Sequence, residues 1–289
     1  METECLVDEH MSFEEYLGLN ALSASGLSLL RRSPAHFKYA KDNPPAETDA
    51  FQIGSAAHCA TLEPERWERE YVCAPKFDRR TKEGKAGYAE FLAQHEGKTP
   101  LPHDTYEAAQ GMAYAIRSHA RAKAMLDGAM AEVSLLWRDQ RNGVRCKARF
   151  DAYNYKLGLI LDIKTTEIAS PWKFSRTIFD FGYYRKAAWY AKAAQYAKLP
   201  FKHFVFIAVE KRAPYCVSVF RLENEVIELG MKENESLVDL YKNCTTHDEW
   251  PGYDPNVQDI SLPKWALNDL EETYGRNNNT NTSSDEVEF

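Results

Sequence analysis

GVRCKARFDAYNYKLGLILDIKTT, residues Gly143–Thr166, reads as two β-strands joined by a turn. Polar and apolar residues alternate from Val144 to Tyr153, the mark of a half-buried strand. Lys156-Leu157-Gly158 supplies the turn, and Leu159-Ile160-Leu161 opens a second, buried strand. The pair is expected to form a hairpin. Side chains alternate faces along a strand, so Asp162 and Lys164 point the same way, at the end of a run otherwise too apolar to tolerate charge. Asp151 can face them from the neighbouring strand. Two carboxylates can hold a hard divalent cation, which takes oxygen ligands plus water and substrate phosphate, and a nearby ammonium can orient that water. This is the chemistry of phosphodiester hydrolysis. D-x-K alone occurs by chance in many chains, so the weight lies in the combination: Asp151, ten residues, then Asp162-Ile163-Lys164 behind a hydrophobic strand.

That combination resembles the PD-(D/E)xK nuclease signature. Ile53-Gly54-Ser55-Ala56-Ala57-His58 is similar to the G-x-x-x-H element upstream of the signature in the RecE, lambda-exonuclease and RecB-type branch of that superfamily. Lys186-Ala187-Ala188-Trp189-Tyr190 stands where that branch places Q-x-x-x-Y, with Lys186 in place of the usual Gln. Glu132, opening Glu132-Val133-Ser134-Leu135-Leu136-Trp137, matches the acidic residue before the core hairpin. Ser23-Ala24-Ser25-Gly26-Leu27, Trp250-Pro251-Gly252-Tyr253 and Leu262-Pro263-Lys264-Trp265 also resemble the phage and bacterial exonuclease VIII (RecE) nuclease domain. The likeness runs over roughly residues 10 to 266 and extends more distantly to lambda exonuclease.

The resemblance implies a metal-dependent exodeoxyribonuclease that digests linear double-stranded DNA from the 5′ end. It would leave a 3′ single strand for a RecT-like annealing protein in recombination, as a ring-shaped homo-oligomer. Asp151 and Asp162, with Glu132 and His58, would hold one or two Mg2+ ions, with Mn2+ able to substitute. Lys164 would position the attacking water, Tyr190 would line the site, and Lys186 would reach a phosphate. Two rival classes fit the same residues: a structure-specific or restriction-type endonuclease, and a non-cleaving DNA-binding or interaction protein marked by Lys186.

The chain has 289 residues and 44% hydrophobic content, enough to bury a full core as one large domain, expected over residues 1–274. No long apolar run suits a membrane span and METECLVDEH is no signal peptide, so a cytoplasmic protein of a bacterial or phage-infected cell is expected. The six cysteines show no C-x-x-C and no Cys/His clustering, which argues against zinc, disulfides and the iron–sulfur members of the superfamily. The net charge is −7, the wrong sign for coating DNA through the whole surface. Contact with DNA must be local. Lys76–Lys85 carries five basic residues against two acids and reads as a mobile basic loop, with Arg79, Arg80, Lys82 and Lys85 as candidate phosphate contacts, although an ordinary solvated loop has the same composition. Ser25, Arg31 and Arg32 could grip a terminal phosphate from a helix start, or simply cap and decorate it.

A coarse pass predicts two short helices over Ser25–Lys41 broken at Ser33-Pro34, a helix over Gln52–Leu62 bearing His58, and one long helix from Asp104 to Leu126. Strands follow at Glu132–Arg138, Val144–Tyr153 and Leu159–Lys164. A helix covers about Tyr183–Ala197, strands His203–Glu210 and Tyr215–Leu222, and a last helix Glu223–Asn243. This order gives an α/β fold, a mixed sheet flanked by helices. Residues 275–289 have the composition of a flexible tail. Its end, Ser283–Phe289, resembles the acidic, Phe-ended tip of bacterial single-strand DNA-binding proteins and could dock on a partner, or could merely solubilise the chain.

Overall fold

The computed structural model describes residues 5–44 and 49–275, so the expected tail lies outside the described residues except for Gly275. In chain order the elements are β1 (Leu6–Asp8), α1 (Phe13–Gly18), α2 (Ala24–Arg32), α3 (Pro34–Asp42), α4 (Asp49–Leu62), α5 (Pro64–Glu70), β2 (Tyr71–Ala74), α6 (Lys82–Gln94), β3 (Thr99–Pro102), α7 (His103–Ser118), α8 (Ala120–Leu126), β4 (Met130–Arg138), β5 (Arg145–Asn154), β6 (Leu159–Thr166), α9 (Pro171–Asp180), α10 (Tyr183–Tyr196), β7 (His203–Glu210), β8 (Val217–Arg221), α11 (Asn224–His247) and α12 (Lys264–Tyr274). Backbone packing divides the chain into two units, Met1–Gly252 with all the strands and α1–α11, and Tyr253–Phe289 with α12. Among the described residues no helix is long and apolar enough to cross a membrane.

Six strands form the main sheet in the order β1-β4-β5-β6-β7-β8. Neighbours are antiparallel except β6 and β7, which run parallel. Parallel pairing needs a long crossover, and α9 and α10 supply it. The fold is therefore the mixed sheet flanked by helices that the order of elements predicts. One face packs on α10, whose Ala187, Ala188, Ala191, Ala193 and Ala194 are fully buried and small enough to bring its backbone close. Phe150, Tyr153, Ile160, Phe204 and Phe206 meet it there. At Gly230 of α11 a Cβ would stand 2.9 Å from the Ala188 Cβ and 3.0 Å from the Tyr184 carbonyl, so only glycine lets α11 lie this near α10. On the opposite face Ile163, Ile207 and Val209 pack on Ala57 of α4, Met112 and Ile116 of α7 and Ala122 of α8.

The hairpin is where this regularity breaks. β5 pairs with β6 through Asn154↔Leu159, Tyr153↔Ile160 and Ala152↔Leu161, and the ladder stops at the next step, which would set Asp151 opposite Asp162. Like charges directly opposite are unfavourable in a sheet. Alternation fails at the same level, because Phe150 and Tyr153 enter the same core cluster although three residues apart, while Ala152 packs on the other face with Leu161. Across the sheet, Glu132 has φ +56°, a left-handed conformation rare for a non-glycine residue. Such strained positions gather at functional sites.

Four sequence expectations need correction, the first being the half-buried strand: every residue of β5 but Arg145 is buried. The long helix over Asp104–Leu126 is two helices, α7 and α8. They meet at His119, which leaves helical geometry and caps α8 by accepting from Ala122 N through Nδ1 at 3.2 Å. Histidine is a weak capping signal, so the break is hard to read from sequence. The basic segment is not a loop throughout: Thr81 caps α6 by accepting from Gly84 N at 3.0 Å, which places Lys82 and Lys85 on a helix. Its two glycines mask the helical pattern. At Gly84 a Cβ would fall 2.0 Å from the Asp78 carbonyl oxygen, so close approach excludes any other residue. Finally, Glu132 does not open its strand but lies within β4, which begins at Met130.

Candidate active site

Asp162 and Lys164 sit on β6 on the side of Ile160, facing α10, and Asp151 meets them where the ladder parts. The side chain of Asp162 is fully buried, and that of Asp151 is 10% exposed. Asp151 Oδ2 accepts the Ile163 N–H at 2.8 Å, replacing a backbone acceptor of the broken ladder. Lys164 donates to Asp162 Oδ2. The remaining oxygens, Asp151 Oδ1 and Asp162 Oδ1, both face the ammonium of Lys186 from α10, at 3.6 and 2.6 Å. The second contact is an ion pair outside hydrogen-bond alignment, and Asp162 Oδ1 has no hydrogen-bond partner.

These charges tune one another. Burial alone would raise the Asp151 carboxyl, but Lys186, His58, Lys164 and the Ile163 N–H hold it well below the usual carboxylate range. Burial lowers Lys164, with the neighbouring Lys186 adding to the effect against the pull of Asp162. Lys186 is also disfavoured by burial, yet Asp151 and Asp162 keep it well above the ordinary lysine range. Its ammonium lies 5.1 Å from the centre of the Tyr190 ring, and that of Lys164 lies 5.0 Å from the Tyr183 ring. Tyr190 is buried against Phe150 with ring centres 5.0 Å apart, and burial pushes its hydroxyl far above the usual tyrosine range.

Glu132 is placed differently from the ligand role that the resemblance implies, whereas His58 keeps one ring nitrogen beside Asp151. His58 reaches from α4 and donates through Nε2 to the Ile163 carbonyl at 2.8 Å, since a carbonyl can only accept. Its Nδ1 is 3.6 Å from Asp151 Oδ2. The ring thus braces the strand segment between Asp162 and Lys164. Glu132 is turned into Arg149 at 2.6 Å, and Arg149 also donates to Ser134 and the Met11 carbonyl. Burial and the nearby Asp151 raise the Glu132 carboxyl. Among the described residues no three His, Cys, Asp or Glu side chains converge as a metal-binding group. The pair Asp151 and Asp162 still suits a hard divalent ion, because such ions complete their shell with water and substrate oxygens. Asp162 Oδ1, buried and held by Lys186 without an aligned hydrogen bond, is an oxygen that such an ion could take as a ligand.

The candidate DNA contacts lie on two other parts of the fold. Arg79, Arg80, Lys82 and Lys85 are exposed, with Arg79 over the Tyr88 ring at 4.7 Å and Arg80 paired with Asp78 at 3.2 Å. Ser23, rather than Ser25, caps α2, and the Ser25 hydroxyl lies 2.9 Å from that of Ser23. Arg31 pairs with Glu233 of α11 at 2.7 Å, while Arg32 is exposed. Two residues near the centre escape a sequence reading. Tyr183 sits one helical turn before Lys186, a spacing that could have suggested it, whereas Arg149 gives no local signal because its partner Glu132 is seventeen residues away.

Comparison with known proteins bears on the family and the fold. No curated protein matches the chain. A solved structure from Eubacterium rectale, described as a "putative exonuclease", is similar over 89% of this chain and 98% of its own, with 14% identity and a TM-score of 0.55. That likeness concerns the fold. The structure of SSO0001 covers 78% of this chain and 81% of its own at 13% identity, with a TM-score of 0.33, too low to carry an argument. The family profile that matches residues 23–260 spans the sheet from β4 onward, both carboxylates, Lys164 and Lys186. The chain accordingly belongs to the family described as the PDDEXK-like domain of unknown function (DUF3799).

Proposed function

We propose that the protein is a metal-dependent exodeoxyribonuclease acting on the ends of linear double-stranded DNA. The observation that carries this reading is the meeting of Asp151, Asp162 and Lys164 at the parted end of the β5–β6 hairpin, within a PDDEXK-like domain. Asp151 and Asp162 would hold the divalent ion, Mg2+ or Mn2+, which when bound supplies charge neutralisation at the phosphodiester and makes a water more acidic. Lys164 holds its ammonium on Asp162, where it can orient the attacking water and meet negative charge that grows on the phosphate oxygens. His58 fixes the Ile163 carbonyl and so the spacing between Asp162 and Lys164. Arg79, Arg80, Lys82 and Lys85 supply a local basic surface on a chain of net charge −7.

Digestion in the 5′ to 3′ direction, a ring-shaped homo-oligomer and hand-over of the 3′ strand to a RecT-like annealing protein belong to the same proposal, on the strength of the resemblance. Time courses on end-labelled linear and covalently closed circular DNA with Mg2+, Mn2+ and Ca2+ test it. The expected result is progressive loss of the 5′ label from linear DNA with Mg2+ or Mn2+, little hydrolysis with Ca2+, and an intact circle. Nicking of the circle would instead make it an endonuclease, and inertness toward every substrate would make it a binding protein.

A further inference from the structure

Each catalytic carboxylate commits one oxygen to β6 and turns the other toward the same ammonium. Asp151 Oδ2 takes the Ile163 N–H and Asp162 Oδ2 takes Lys164, while both Oδ1 atoms face Lys186 at 3.6 and 2.6 Å. Two carboxylates and two ammoniums sum to zero, so the buried group is already electrically balanced. A divalent ion needs the same two Oδ1 atoms. Added beside Lys186 it would leave an excess of two positive charges in a buried place, which low-dielectric surroundings penalise strongly. Ion and ammonium therefore exclude each other. Lys186 also has somewhere to go: its side chain is 26% exposed, at the end of four flexible methylenes in the first turn of α10.

We propose that Lys186 is a tethered counter-cation, which neutralises Asp151 and Asp162 until a divalent ion displaces it. The displaced ammonium is left to pair with a phosphate oxygen of DNA, so metal and DNA load together rather than independently. This rests on the reading of Asp151 and Asp162 as the metal carboxylates.

Calorimetric titration of Ca2+ alone into the DNA-free native chain and into Lys186→Gln, Lys186→Met and Asp162→Asn separates the two ideas without any turnover. The neutral Lys186 variants are expected to bind Ca2+ at least about tenfold more tightly than the native chain, and Asp162→Asn to lose the site. Equal affinity in the native chain and both Lys186 variants, with loss in Asp162→Asn, overturns the counter-cation while the metal site stands. Binding that ignores Asp162→Asn overturns the metal site itself, and the counter-cation with it. A measurement on the native chain stands apart from the folding of any variant: acetylation of Lys186, followed by mass spectrometry, should accelerate several-fold with saturating Ca2+ as the ammonium leaves its carboxylates. An unchanged rate overturns the displacement.

Discussion

Replacing Asp162 with Asn takes the charge from the most deeply buried group of the centre and leaves the ammoniums of Lys164 and Lys186 beside a neutral amide. At the 2.6 Å separation of Lys186 and Asp162, an effective dielectric of about 20 gives an attraction of roughly 6 kcal/mol before the cost of burying both charges is subtracted. Breaking a buried pair from one side costs about 3–5 kcal/mol. Asp162→Asn should therefore lower the free energy of unfolding by about 3 kcal/mol or more in urea titrations with EDTA present. Lys186→Gln should cost less, about 1–3 kcal/mol, because Asp162 keeps Lys164. The double variant strands neither partner of that pair, so its loss should fall short of the sum of the single losses by about 2 kcal/mol. Additivity to within about 0.5 kcal/mol would refute the pairing. The same numbers guide the activity assay: an Asp162 variant must be compared with the native protein at a temperature where it is still folded.

Lys164→Ala should retain DNA binding in a filter or gel assay yet lose cleavage by about a hundredfold or more, because its ammonium acts on charge that develops during hydrolysis. Gly230→Ala should destabilise the protein by about 1–3 kcal/mol in thermal or urea unfolding, since its Cβ would meet Ala188 and the Tyr184 carbonyl at about 3 Å and push α11 from α10. Changing Arg79, Arg80, Lys82 and Lys85 together to Ala should weaken DNA binding and flatten its salt dependence, by about one slope unit for every phosphate that the variant no longer neutralises. An unchanged slope would return that surface to ordinary solvation. If the tail docks rather than merely solubilises, deleting Asp285–Phe289 should spare cleavage of naked DNA and remove capture of a partner that reads single-strand DNA-binding protein tips, with equal capture of both forms refuting a docking role.

The sequence by itself determined the hairpin, the shared face of Asp162 and Lys164, the helix carrying His58, and the helix α10 and strands β7 and β8 that follow the hairpin, though not α9 between the hairpin and α10. All of these rest on local periodicity and turn chemistry, which act over a few residues and survive without the rest of the fold. Tertiary structure decided what those residues do to one another. Whether Glu132 turns to a metal or to Arg149 depends on a left-handed backbone at β4 and on a partner one strand away. Whether Lys186 reaches a phosphate or two carboxylates depends on how closely the alanines of α10 let that helix approach β6. The motif fixes which side chains are available. Long-range packing fixes the angstroms between their charges, and in a buried site those distances determine which cation the carboxylates hold.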